Sequence, residues 1–456
     1  MNQRVMVAAI VGGFAFGVYA DATWKAATDG AWETGSNWST EAVPLATESA
    51  QITPSDASYT VTLDSQQTVK GLTVAGKTSP SYQTKLNITG FLRLDGGKLA
   101  ASYCDINIGE GGVLEIANTS ANTTIAQGAR IVVDGGTFSM TEGNSGYFSL
   151  GSSTWVSGGY PMFVLNDGYA NFMGSSDLFV ASPTGYSTTE LNGGVMELRD
   201  TSSNRNAGLM SLGANSDAGV VFTMKGDAKL WFSQGGSLTI GRGVSTIGGN
   251  ATLEITSPKD SNTLTFGPGP SDSNRKTSMT ISDNATISAP GLKQFVFGKN
   301  DLRTVGTRST LTMTGGSMEL GYRSNFGVGT GLYDMRQQGG TIVCRRYGAQ
   351  IGGVPCNFSN PTHANASDMC CTSTVTIAGG TFECRAENSH GNTPNKSMLG
   401  LVVGGGLVGT TYSHLKNGWT EAYLNIEGEG VVTNGPCAKI GFRSHFVQLS
   451  PSFDSA

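Results

Sequence analysis

A ten-residue motif returns along this chain and leaves few folds open to it: apolar-x-apolar-x-Gly-Gly-x-apolar-x-apolar. It reads IVVDGGTFSM at Ile131–Met140, TELNGGVMEL at Thr189–Leu198, LTMTGGSMEL at Leu311–Leu320 and VTIAGGTFEC at Val375–Cys384. A shorter copy covers Leu92–Leu99, and looser copies cover Trp231–Ile240 and Met335–Cys344. The first glycine of each pair falls at 96, 135, 193, 235, 315, 339 and 379, so several steps are near 40 or twice 40. Alternation at period 2 means strands. A glycine pair between two alternating runs gives a corner where φ can be positive and no side chain blocks the bend.

Two further elements recur. One is apolar-x-apolar-Gly, as in Phe148–Gly151, Met210–Gly213, Leu238–Gly241, Phe295–Gly298 and Ala438–Gly441. The other is a turn leading into a strand, as in Gly226–Leu230, Gly249–Leu253, Asp283–Ile287 and Gly428–Val432. Short strands split by Gly corners can build a sandwich, a propeller or a solenoid. A repeat of one coil (~20 residues) or two coils fits the steps, and Thr, Ser and Asn at outward positions suit stacked ladders. The expected fold is therefore all-β, a parallel β-solenoid. Its rod would be about 100 Å long at ~4.8 Å per coil. Asn144–Gly159, Ser257–Lys276 and Val354–Met369 read as loops thrown out from the rod, and no linker divides the chain into two domains.

Residues 1–20 read as a secretory signal peptide: Arg4 is the positive start, Val5–Val18 the apolar stretch, and Ala20 the small residue before the cut. That stretch, about 14 residues, is short for a bilayer span, and no later segment reaches 18 apolar residues. The mature chain is expected outside the cytoplasm, with a capping segment over 21–75 and repeats over 76–456. Gly is abundant at 65 residues, but it lacks the strict third-residue period of collagen. The net charge of −5 offers no basic field for nucleic acid or anionic lipid.

Trp24, Trp32 and Trp38 sit in an opening segment with Gly35-Ser36-Asn37-Trp38 and Pro44, followed by the strands Tyr59–Leu63 and Val69–Val74. Together with the later Gly-Gly copies, this resembles the large bacterial repeat proteins related to autotransporter passenger domains and to sorting-tail exoproteins of planctomycete and verrucomicrobial type. The resemblance implies a right-handed parallel β-helix displayed at or beyond the cell surface, with Gly-Gly corners and a Trp-rich N-terminal cap. It implies no catalytic residue. Those families end in a β-barrel or in an apolar sorting helix followed by basic residues. Neither pattern precedes Ala456, so the expectation is a truncated product or one secreted whole. The three Trp read as a cap over the open end of the core, or as a platform for stacking carbohydrate.

The seven Cys include an odd one, and five lie between 344 and 384. Cys344 and Cys384 share a register that is apolar in other copies (Met140, Leu198, Ile240, Leu320), so both should point inward. If their coils are neighbours they lie within disulfide range; if a coil intervenes they are buried thiols. Cys356, His363, Cys370 and Cys371 match no standard zinc spacing, and a loop disulfide from Cys356 to Cys370 or Cys371 competes with plain thiols. The four His (363, 390, 414, 445) have no Ser or Cys partner in a nucleophile setting. No cofactor motif is present, and no metal centre is expected.

Clustered carboxylates on one solenoid face would be the mark of a polysaccharide lyase or hydrolase. Asp95, Asp134, Glu197 and Glu319 recur near the Gly corner, and Glu197 and Glu319 share an outward register that makes them the candidate carbohydrate face. Thr239, Ser139 and Val343 in the same place of other copies dilute it. The leading expectation is a secreted or cell-surface structural or adhesive protein without catalytic activity, meeting a polysaccharide or a host or neighbouring cell surface. The alternative is a carbohydrate-active or carbohydrate-binding β-helix.

Overall fold

A computed structural model describes residues 21–442 apart from 26–27, 54–57, 77–83, 142, 152–158, 160, 175–177, 182–185, 202–208, 214–218, 235, 257–261, 268–275, 299–307, 322, 328–330, 346–347, 353–369, 386–400, 404–418 and 435–439. The described chain is a parallel β-helix. A typical coil makes three strands, on what we term the leading, trailing and short faces; in Arg130–Met140 and Met162–Gly174 the leading and trailing strands run on as one. In one coil these are Ser187–Leu191, Val195–Asp200 and Leu209–Leu212; in the next they are Val220–Met224, Lys229–Gln234 and Ser237–Ile240. Like faces pair in parallel from coil to coil. Apart from strands, the regular structure described is one 3-10 turn at Gly35–Asn37.

Alternation along each strand sets the inside and the outside. In Thr286–Ala289 and Ser317–Leu320 every second residue is buried, and the inward residues join one apolar core running from Ala22 to Leu424. Burying this stripe drives the coil to close, because a single strand or hairpin cannot cover its own apolar face. Outward positions form polar ladders. On the leading face Thr223, Thr246, Thr280 and Thr312 stand opposite one another on successive coils.

The corner between leading and trailing faces is where the glycine pairs matter. Gly380 has φ +75, and a Cβ there would lie 2.2 Å from the Gly340 carbonyl oxygen of the coil below. Any side chain would push the coils apart at that point. The turns at Gly226, Gly249 and Asp283 occupy this same corner, so they are variants of the glycine pair and not a separate element. Side-chain amides stack along it: Asn192 on Asn166, Asn250 on Asp227 and Asn284 on Asn250.

Asp283 takes the left-handed conformation at φ +57, and its carboxylate accepts from Gly249 N at 2.9 Å and Ser282 Oγ at 3.0 Å. The Gly249 amide, then the Ser282 hydroxyl, hold this carboxyl below its ordinary value. Because the folded value is depressed, the carboxylate stabilises the fold above roughly pH 4 and that contribution disappears as pH falls through the folded value. The melting-temperature gap between the natural chain and Asp283→Asn is therefore expected to close below pH 4. A gap that widens on acidification would contradict this assignment.

Three sequence expectations change. Coil length is not about 20 residues throughout. Asn107 meets Asn87 20 positions earlier, Asn284 meets Asn250 34 positions earlier, and Asn425 meets Thr376 49 positions earlier. The extra residues leave the strands unaltered, so the fifteen short-face strands among the described residues span about 70 Å, against the expected 100 Å. Second, the glycine pair at 96 and the described Gly236 sit between trailing and short faces, while the pairs at 135, 193, 315, 339 and 379 sit between leading and trailing faces. Third, Ser257–Lys276 is not all loop, since Thr263–Phe266 is a short-face strand, and Phe148–Leu150 interrupts Asn144–Gly159 in the same way. Val354–Met369 lies outside the described residues, as do residues 1–20 and 443–456.

The N-terminal end is closed by aromatic bulk. Trp24, Trp32 and Trp38 are all buried. Trp38 meets Trp24 edge-on at 5.2 Å and Trp32 at 4.8 Å, and its Nε1 donates to Trp32 O at 2.8 Å. Rings buried this far cap the core and offer no face for a sugar. Coil stacking begins within this segment, with Ala22–Thr23 on Ser49–Ile52.

Candidate functional site

The outward column of the trailing face holds the chemistry-bearing side chains. Glu115, Ser139, Asn171, Glu197, Trp231, Glu254, Ser288, Glu319, Val343 and Glu383 follow one another on successive coils. Glu197 and Glu319 do share this register, but four coils separate them, about 19 Å at ~4.8 Å each. They form no acid pair. Glu254 lies two coils from Glu197, about 10 Å away, with Trp231 between them. Thr239 belongs to the short face, and Trp231 holds the place assigned to it. Asp95 ends a trailing strand and accepts from Asn118 Nδ2 at 2.7 Å, whereas Asp134 is exposed at the other corner.

The carboxylates of this column are engaged by near neighbours. Glu115 pairs with Arg93 at 2.5 Å and Glu254 with Lys229 at 2.5 Å. Glu319 accepts from Arg345, and Glu383 accepts from Arg385 at 2.7 and 2.9 Å. The Arg385 guanidinium holds the Glu383 carboxyl below its ordinary value. Glu197 differs, because its two oxygens accept from the hydroxyls of Tyr169 and Ser233. It is only 8% exposed although it faces outward. Burial, then the hydrogen bond to Glu197, raise the Tyr169 phenol above its ordinary value.

Local strand geometry places the Ser233 hydroxyl. Leu198 faces Phe232 and Arg199 faces Gln234, so Ser233 has no partner across the ladder. This bulge turns its side chain onto Glu197. Trp231 is half-buried, its Nε1 donates to Thr256 Oγ1 at 3.2 Å, and Lys229 Nζ lies 5.0 Å from the ring centre. Sequence reasoning missed Trp231 and Glu254. Both directly follow the turn copies Gly226–Leu230 and Gly249–Leu253, so placing those turns at the glycine corner would have found them.

Cys344 and Cys384 are register partners on adjacent coils, both buried and both thiols. Adjacency was the condition for a disulfide, yet in-register parallel strands hold their Cβ atoms about 4.8 Å apart. A disulfide prefers roughly 3.5–4.5 Å. Burial, and then the neighbouring Cys384, push the Cys344 thiol well above its ordinary value. Phe232, not Ile240, is the equivalent inward residue in the earlier coil. Cys104 is buried too, donates to Val74 O at 3.4 Å, and is pushed up to about 12 by burial. Cys356 and the four His lie outside the described residues. Cys370 and Cys371 begin the strand Cys370–Ile377.

Among the described residues no group of three His, Cys, Asp or Glu could hold a metal ion, and no helix is long and apolar enough to cross a membrane. Comparison with protein-family models matches no family, and comparisons with curated proteins and with solved structures find no match.

Proposed function

We propose that this chain is an extracellular or cell-surface rod that acts by presenting its faces to a polysaccharide or a cell surface, without catalysis. The observation that carries this reading is the pairing along the trailing column. Glu115, Glu254, Glu319 and Glu383 each contact a cation from their own or an adjacent coil. A hydrolase needs one carboxyl kept as an acid and another poised as base or nucleophile on the scissile bond. Carboxylates neutralised by neighbours instead support a solvated, weakly charged face. The Thr ladder of the leading face adds repeated, identical polar contacts, for which avidity supplies affinity.

The test incubates residues 21–456 with a polysaccharide panel and follows both retention and release of reducing ends or unsaturated products. Retention without release is the expected result. Release of oligosaccharides would overturn the reading. A carbohydrate-binding role is favoured by a specific feature, the half-buried Trp231 between Glu197 and Glu254.

A further inference from the structure

We infer that the outward column at Asn171, Glu197, Trp231 and Glu254 is a saccharide-binding site, taking a neutral glycan strand that runs along the rod axis. This rests on the non-catalytic presenting role proposed above and names a ligand and a place for it.

Two polar atoms, one in this column and one two residues along the strand from Glu197, lack partners. Asn171, the coil neighbour of Glu197, is 7% exposed, and its Oδ1 has no hydrogen bond. Arg199 Nε, on the strand that carries Glu197, is likewise buried without a partner. One is an acceptor and the other a donor, and leaving both unmet costs free energy. A hydroxyl is donor and acceptor at once, so a polyhydroxylated ligand can answer either atom. Glu197 reinforces this. Its contacts with Tyr169 and Ser233 occupy part of its accepting capacity, and a carboxylate has about four lone-pair sites. The bulge that supplies Ser233 keeps the carboxylate in place before any ligand arrives.

Trp231 adds the apolar element. Its indole is tethered by Thr256, and an aromatic face receives the C–H side of a pyranose. The ladder supplies the period. Coils repeat every ~4.8 Å, about the length of one sugar, so successive coils meet successive residues of an extended glycan. Charge selects among glycans. Glu254 is balanced by Lys229, whereas Glu197 is held by two hydroxyls and keeps its negative charge at the surface of the column, which favours a neutral strand over a uronate.

Isothermal titration with cellotetraose, xylotetraose and mannotetraose tests this, with tetragalacturonate as the anionic comparison. At least one neutral tetraose should bind the natural chain more tightly than tetragalacturonate does. Trp231→Ala should weaken that binding about tenfold, the equivalent of roughly 55 Å² of apolar contact. Glu197→Gln should weaken it as well, while Glu319→Gln, four coils away, should leave it unchanged. Melting curves confirm that each variant is folded, and Asn171→Ala replaces Trp231→Ala if the latter is not. Equal binding by the natural chain and both site variants would overturn the site, as would equal loss in Glu319→Gln. Failure of every tetraose to bind while the rod still adheres to whole polysaccharide or cells would overturn the site and leave the presenting role. Cleavage of a bound tetraose would overturn the non-catalytic role and leave the site.

Discussion

Truncating Phe148 to alanine is expected to lower the free energy of unfolding by about 3–5 kcal/mol. Phe148 is fully buried, and its ring centre lies 5.5, 5.7, 5.4 and 5.0 Å from those of Phe138, Phe163, Phe172 and Phe179. These five rings come from two successive coils and all three faces. Removing the central one takes away its transfer free energy and leaves a cavity that four rigid neighbours cannot fill. In a stack where each coil touches only its neighbours, the damage is local. Denaturant unfolding followed by fluorescence and circular dichroism should then split, the coils around Phe148 melting first. A loss under about 1 kcal/mol with one sharp transition would show that the rings are not packed as described.

Removing the Trp38 ring should have a comparable effect by a different route. Its indole bridges Trp24 and Trp32 and ties the chain through the Trp32 carbonyl. Trp38→Ala is expected to cost about 3–5 kcal/mol from lost burial. It also uncovers the first coil, and an uncovered sheet end is a template for pairing with another chain. The variant should therefore melt earlier and also form larger species in sedimentation or light scattering. If it remains monodisperse and melts with the natural chain, closure of this end does not depend on the cluster.

Strand positions, inward faces and the capping role of the tryptophans were legible because each rests on local chemistry. Alternation at period 2 needs no knowledge of what the next coil does, and a glycine between alternating runs marks a corner wherever it falls. Register between coils was not legible. It depends on how many residues leave the stack between strands, and that number ranges from coil to coil without changing the strands. Treating Gly235–Gly236 as equivalent to Gly193–Gly194 moved Thr239 into a column it does not occupy and hid Trp231. The same uncertainty left Cys344 and Cys384 with two readings until their coils proved adjacent. Glu197 was found, but its hydroxyl partners come from Tyr169 on the previous coil and from a bulge, and neither has a signature in a single strand.

The parallel ladder also governs how the rod would behave under tension. Hydrogen bonds between coils run along the axis, so a pull on the two ends loads them one after another in series and not side by side. Force would then peel coils from an end at a low, nearly constant load instead of breaking the whole stack at once. Each coil released adds contour in proportion to its length: roughly 70 Å for the coil of 20 residues and roughly 170 Å for the coil of 49. A rod of this kind would yield gradually, with the long coils after residue 330 acting as its largest reserve of slack.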